Sequence, residues 1–159
     1  YQIPNEQQDV GRLISELSSK TASQQCWRGL CAKRTGKQDF WNDETTLKAM
    51  ATPDAGARYG RFTGAKQGST TNMANPLLQW DASTPYNQGG WYWIEVMRYD
   101  ESSKNSGLIV GGSGAAANNL LTLNLKPNVV YRITAVAYGR KGSTMAVLQQ
   151  TYARQTTKD

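Results

Sequence analysis

The chain has no histidine among its 159 residues, and it has only two cysteines. Without histidine the commonest general base is missing, along with every Ser-His or Cys-His nucleophilic pair. Two thiols alone are too few ligands for a zinc site, so no metal is expected. No run of about 18 apolar residues occurs, so no segment of the sequence reads as a membrane-spanning helix. The first residues lack the basic-then-apolar pattern of an export signal. Acidic residues number 12 against 18 basic ones, for a formal net charge of +6. The basic residues are scattered rather than gathered into a block, which excludes a dedicated electrostatic tail. The positive balance still favours an anionic partner such as DNA, a lipid head group or an acidic subunit.

The residues present suit one compact domain: 38% are hydrophobic, and 15 glycines with many Asn, Ser and Thr imply numerous turns and long loops. Chemistry has little to stand on. The adjacent carboxylates Asp43-Glu44 and Asp100-Glu101 lie in polar turns, where solvated carboxylates keep ordinary properties. The glycine-rich stretches Gly111 to Gly114 and Gly139 to Gly142 do not match the phosphate-loop pattern. We expect no catalytic activity and no cofactor.

The segment from Tyr131 to Tyr152 organises the chain. β-Branched and aromatic residues are enriched before and after Gly139-Arg140-Lys141-Gly142, so it reads as two strands joined by a tight, charged turn. Alternation places Ile133, Ala135 and Ala137 on one face and Arg132, Thr134 and Val136 on the other. The first face is small and apolar, suited to a helix.

This segment, Y-R-I-T-A-x-A-Y-G followed by V-L-Q-x-T-Y, resembles the C-terminal hairpin of the PilX/PilK group of type IV pilus minor pilins. A second match, Cys26-Trp-Arg-Gly-Leu-Cys31, resembles the C-x-x-G-L-C element early in the globular part of such pilins. The resemblance implies an α+β fold: an N-terminal helix packed on an antiparallel sheet of about four strands, pilin-like, with long loops. It implies a structural subunit of a minor-pilin complex that primes pilus assembly, at or near the pilus tip. The implied partners are other minor pilins and a large tip adhesin. The implied location is the inner membrane facing the periplasm, then the extracellular pilus. Such pilins carry an apolar N-terminal helix, so Tyr1 is expected to follow a truncation that removes that anchor. The exported context favours a Cys26–Cys31 disulfide, the alternative being two free buried thiols. In so short a loop it would contribute roughly 2 kcal/mol at most. In such assemblies sheet edges meet neighbouring subunits, which makes the first and the final strand candidate contact surfaces.

Along the rest of the chain, Val10, Leu13, Ile14 and Leu17 follow helical spacing after Asn5, a candidate cap. Residues 33 to 90 read mostly as loop, with a short helix from Asp43 to Met50 capped by Asn42 or Asp43. Trp91 to Tyr99 is the strongest single strand, with Tyr92, Ile94 and Val96 on one face and Trp91, Trp93, Glu95, Met97 and Tyr99 on the other. Further strands are expected at Gly107 to Val110 and Leu120 to Leu125. We expect one domain over residues 1 to 154 and a disordered tail over 155 to 159.

The aromatics Trp80, Tyr86, Trp91 and Trp93 support two readings. One is a core or hairpin face. The other is a stacking platform for single-stranded nucleic acid or a glycan, with nearby Lys and Arg, which would make the protein a DNA- or glycan-binding envelope module. With Arg140 and Lys141 of the hairpin turn, these residues are the candidate binding or interface positions. A third reading is an adhesin whose loop from Ala51 to Pro76 touches host or abiotic surfaces.

Overall fold

Helix α1, Gln7–Ser18, forms where the helical spacing of apolar residues predicts it. Its stripe of Val10, Leu13 and Leu17 is buried against Ala32, Val96, Val129 and Tyr131 of the sheet, with Ile14 packed partly alongside. The computed structural model describes residues 7–20, 24–34, 37–63, 80–98, 129–141 and 144–153. Asn5, the strands expected at 107–110 and 120–125, and the expected tail lie outside the described residues.

Strands β1, Cys26–Trp27, and β2, Leu30–Ala32, pair antiparallel with Cys26 opposite Cys31 and Trp27 opposite Leu30. The intervening Arg28 and Gly29 both have positive φ, 50° and 90°. That is the backbone of the two-residue turn whose twist matches paired strands. A disulfide joins Cys26 to Cys31 across the pair, and both residues are fully buried. Gly29 is doubly constrained. Besides its φ, a Cβ built there would stand 2.6 Å from the Ala57 Cβ. Its N–H donates to the Ala55 carbonyl at 2.9 Å, and its carbonyl accepts from the Ile94 N–H at 2.6 Å. Gly29→Ala is therefore expected to destabilise the fold by about 2–4 kcal/mol, from backbone strain plus overpacking. Denaturant unfolding of G29A should show a lower midpoint at unchanged slope.

After a 3-10 turn, Phe40–Asn42, comes helix α2, Glu44–Met50. Its cap is Asp43, whose carboxylate accepts the Thr46 N–H at 2.7 Å and the Thr46 hydroxyl at 2.6 Å. These bonds, the hydroxyl's first, hold the Asp43 carboxyl below its ordinary pKa. Then follow β3, Ala57–Arg58; β4, Gly90–Arg98; β5, Val129–Tyr138; and β6, Met145–Ala153.

The sheet is mixed, and its described part has six strands in the order β1-β2-β4-β5-β6, with β3 also paired to β4. The C-terminal hairpin forms as the alternation implies, β5 pairing antiparallel with β4 on one side and β6 on the other. Two expectations are corrected here. The sheet is not wholly antiparallel, because β2 runs parallel to β4 with Leu30 opposite Ile94 and Ala32 opposite Val96. A parallel pair needs a long crossover, and residues 33 to 89 supply one. Nor is the strand count about four, because β1, β2 and β3 are too short to show any period. Ala57 and Arg58, read as loop, pair with Tyr92 and Trp91 and are buried.

Each face of the sheet has its own core. α1 covers one. On the other, Trp91, Trp93 and Val136 pack with the disulfide, Phe40, Leu47, Met50, Ala51 and Ala55.

Candidate interaction surface

Trp91 and Trp93 face inward because their parity on β4 points them at α2. They are 2% and 1% exposed, so neither offers a ring to solvent. The Trp93 indole donates to the Met50 carbonyl at 3.1 Å and meets the Phe40 ring edge-on at 5.0 Å. For these two residues the structure follows the core reading, and as folded they cannot stack on a base or a sugar. Trp80 and Tyr86 are half-buried. The Trp80 indole donates to the Tyr59 carbonyl at 2.8 Å, and the Tyr86 carbonyl accepts the Trp91 indole N–H at 2.8 Å.

What lies between Trp80 and Trp91 is Arg58, which sequence reasoning counted only among scattered basic residues. Its guanidinium stacks on Trp91 at 4.2 Å and lies 6.0 Å from the Trp80 ring. It donates to the carbonyls of Gln88 and Thr84, each at 2.6 Å, and of Pro85 at 2.9 Å. Burial pulls its pKa below the ordinary arginine value. Arg58 thus pins the segment leading into β4 to the sheet. Lys48 stands over the Tyr86 ring at 5.5 Å and pairs with Glu44 at 2.7 Å. These exposed contacts are individually weak.

A second charged group lies inside the sheet. Glu95 on β4 faces Arg132 on β5 directly, and the guanidinium grips its carboxylate with two hydrogen bonds of 2.6 Å. The Arg34 N–H adds a third at 3.0 Å. The Arg34 guanidinium covers the Phe40 ring at 4.8 Å and donates to the Met50 sulfur at 3.0 Å. Desolvation lowers its pKa, while Glu95 pulls the other way. The sequence did carry a signal for this pair: Glu95 shares a strand face with Trp93 and Met97, and a carboxylate there requires a partner.

The outer hairpin presents an open surface. Arg140 and Lys141 are exposed at the turn, as their charge implies. Beyond them, every β6 side chain is exposed except Val147, which is half-buried. Leu148 is 76% exposed and Tyr152 50%. The structure does not gather the hairpin cations with the aromatics into one cluster of contacts among the described residues.

No helix among the described residues is long and apolar enough to cross a membrane. A family model described as the C-terminal part of the type IV pilus assembly protein PilX matches residues 27–154. Compared with the curated proteins and with the solved structures, the chain has no significant match.

Proposed function

Starting from the fact that this chain belongs to the PilX family of type IV pilus assembly proteins, we propose that it joins other minor pilins in a complex that primes pilus assembly and sits at or near the tip. The observation that carries the reading is the match over residues 27–154, which begins one residue after Cys26 and takes in Cys31, Arg58 and the whole C-terminal hairpin. The family is a structural component of pili rather than a group of enzymes, in keeping with a chain built without histidine. On this reading residues 1 to 154 are a single domain that faces the periplasm and then the outside of the pilus. Its work is done by surfaces: the edges of the sheet and the loops beside them meet neighbouring pilins and a large tip adhesin.

Deleting the gene from a piliated cell and counting surface pili by electron microscopy tests the reading. A steep loss of pili, restored by the intact gene, with gold label against this chain at pilus ends, is the expected result. Normal pilus numbers after deletion, or label spread along the shaft, would sink the priming and tip role.

A further inference from the structure

Strand β6 lacks the features that ordinarily keep a sheet edge from pairing. Natural edges are blunted by charge, proline, bulges or shortness. The nine residues of β6, MAVLQQTYA, contain no charged residue and no proline. They pair with β5 without interruption from Val130–Ala153 to Tyr138–Met145, so no bulge twists the edge away. Among the described residues the sheet ends at β6.

The hydrogen-bond pattern shows which groups this leaves outward. Tyr138 donates its N–H to Gly89 on the β4 side, and Gly139 donates to Thr144 on the β6 side, both at 2.9 Å. Alternation along the antiparallel ladder then directs the N–H groups of Val147, Gln149 and Thr151 away from β5. These are the donors that an added strand would engage. Exposed Leu148 and Tyr152 lie on one face and would give that strand apolar neighbours.

Charge selects the occupant. Arg140 and Lys141 stand just before the strand and Arg154 follows it directly. A second copy, parallel or antiparallel, would bring basic end against basic end on a chain already carrying +6. We propose that the outer edge of β6 accepts a strand from an acidic partner subunit, with carboxylates at both ends of that strand. The sheet is extended by backbone hydrogen bonds, and the end charges fix the choice of partner. The proposal rests on the reading that the chain joins other pilus subunits.

The test uses the 159-residue chain and a peptide of alternating valine and threonine, matched to β6 in length, with two glutamates at each end. The same peptide with lysines at its ends is the control. The glutamate peptide is expected to slow amide exchange at Val147, Gln149 and Thr151 at least about tenfold, and the lysine peptide to leave it unchanged. Thr151→Pro removes an outward donor but no bond to β5, and should weaken binding about tenfold or more while the β4 and β5 amides keep their positions in the spectrum. The surface pair R140E/K141E should shift the preference toward the lysine peptide. Equal protection by both peptides, no protection at the three amides, or self-association that protects them without peptide would each overturn the proposal. In piliated cells the two readings separate. If deletion abolishes pili but T151P does not reduce them, the edge proposal fails alone; if deletion leaves pili normal, the pilus reading fails whatever the peptides show.

Discussion

Glu95→Ala is expected to cost about 3–5 kcal/mol, among the largest effects of any single substitution in this chain, because it strands the Arg132 guanidinium between β4 and β5 without a counter-charge. The side chains of the pair are 15% and 5% exposed for Arg132 and Glu95, so water cannot replace the lost bonds. Arg132→Ala should cost as much by the converse route, leaving the carboxylate with only the Arg34 N–H. The informative comparison is the double replacement E95L/R132M. A buried ion pair exchanged for apolar residues of similar size is often close to neutral, so the double variant should recover most of what either single change loses. Denaturant unfolding of the four proteins decides it. If the double variant stays as unstable as either single, the pair itself adds net stability; if it is as unstable as the sum of the singles, the two side chains are uncoupled and the stranded-charge account fails.

Trp93→Ala should rank beside it, at about 3–5 kcal/mol. The ring fills the space under α2 against Phe40, and its removal also leaves the Met50 carbonyl without the indole donor. Trp93→Phe separates the two contributions: it keeps much of the volume, gives up the hydrogen bond, and should cost about 1–3 kcal/mol. By contrast Leu148→Ala, on the exposed edge, should stay within about 0.5 kcal/mol of the parent. Thermal or denaturant unfolding of the three variants gives the order, and an L148A as damaging as W93A would mean that β6 is covered.

How far the fold can be read from the sequence depends on how local its signals are. The hairpin of β5 and β6, the two faces of β4 and the stripe of α1 are written in alternation or helical spacing, and each is legible. The Asp43 cap is equally local, because the side chain that ends the preceding turn bonds only three residues ahead. Strands β1, β2 and β3 are different. With two or three residues each, they exist because β4 offers an edge from a distant part of the chain, and no window of sequence contains that edge. The parallel sense of β2 is hidden for the same reason. Trp91 and Trp93 share a face, which favours burial, yet nothing local distinguishes a buried face from a stacking one. Arg58 is the least legible residue: an arginine among Gly, Tyr and Ala reads as solvated, and its role follows from three carbonyls contributed by residues 84 to 88. The β6 edge was legible as a strand, but its openness belongs to the topology.

The parallel seam between β2 and β4 also bears on the order in which the chain folds. The hairpin of β1 and β2 closes over two residues and that of β5 and β6 over a short turn, so both can form early at little entropic cost. The seam joins residues 30–32 to residues 94–96, and α1 cannot bury its stripe until Ala32 and Val96 lie side by side. Closing that span is expected to be the late, rate-limiting event, as non-local pairings generally slow folding. Until it closes, the apolar stripe of α1 is left uncovered in the folding chain.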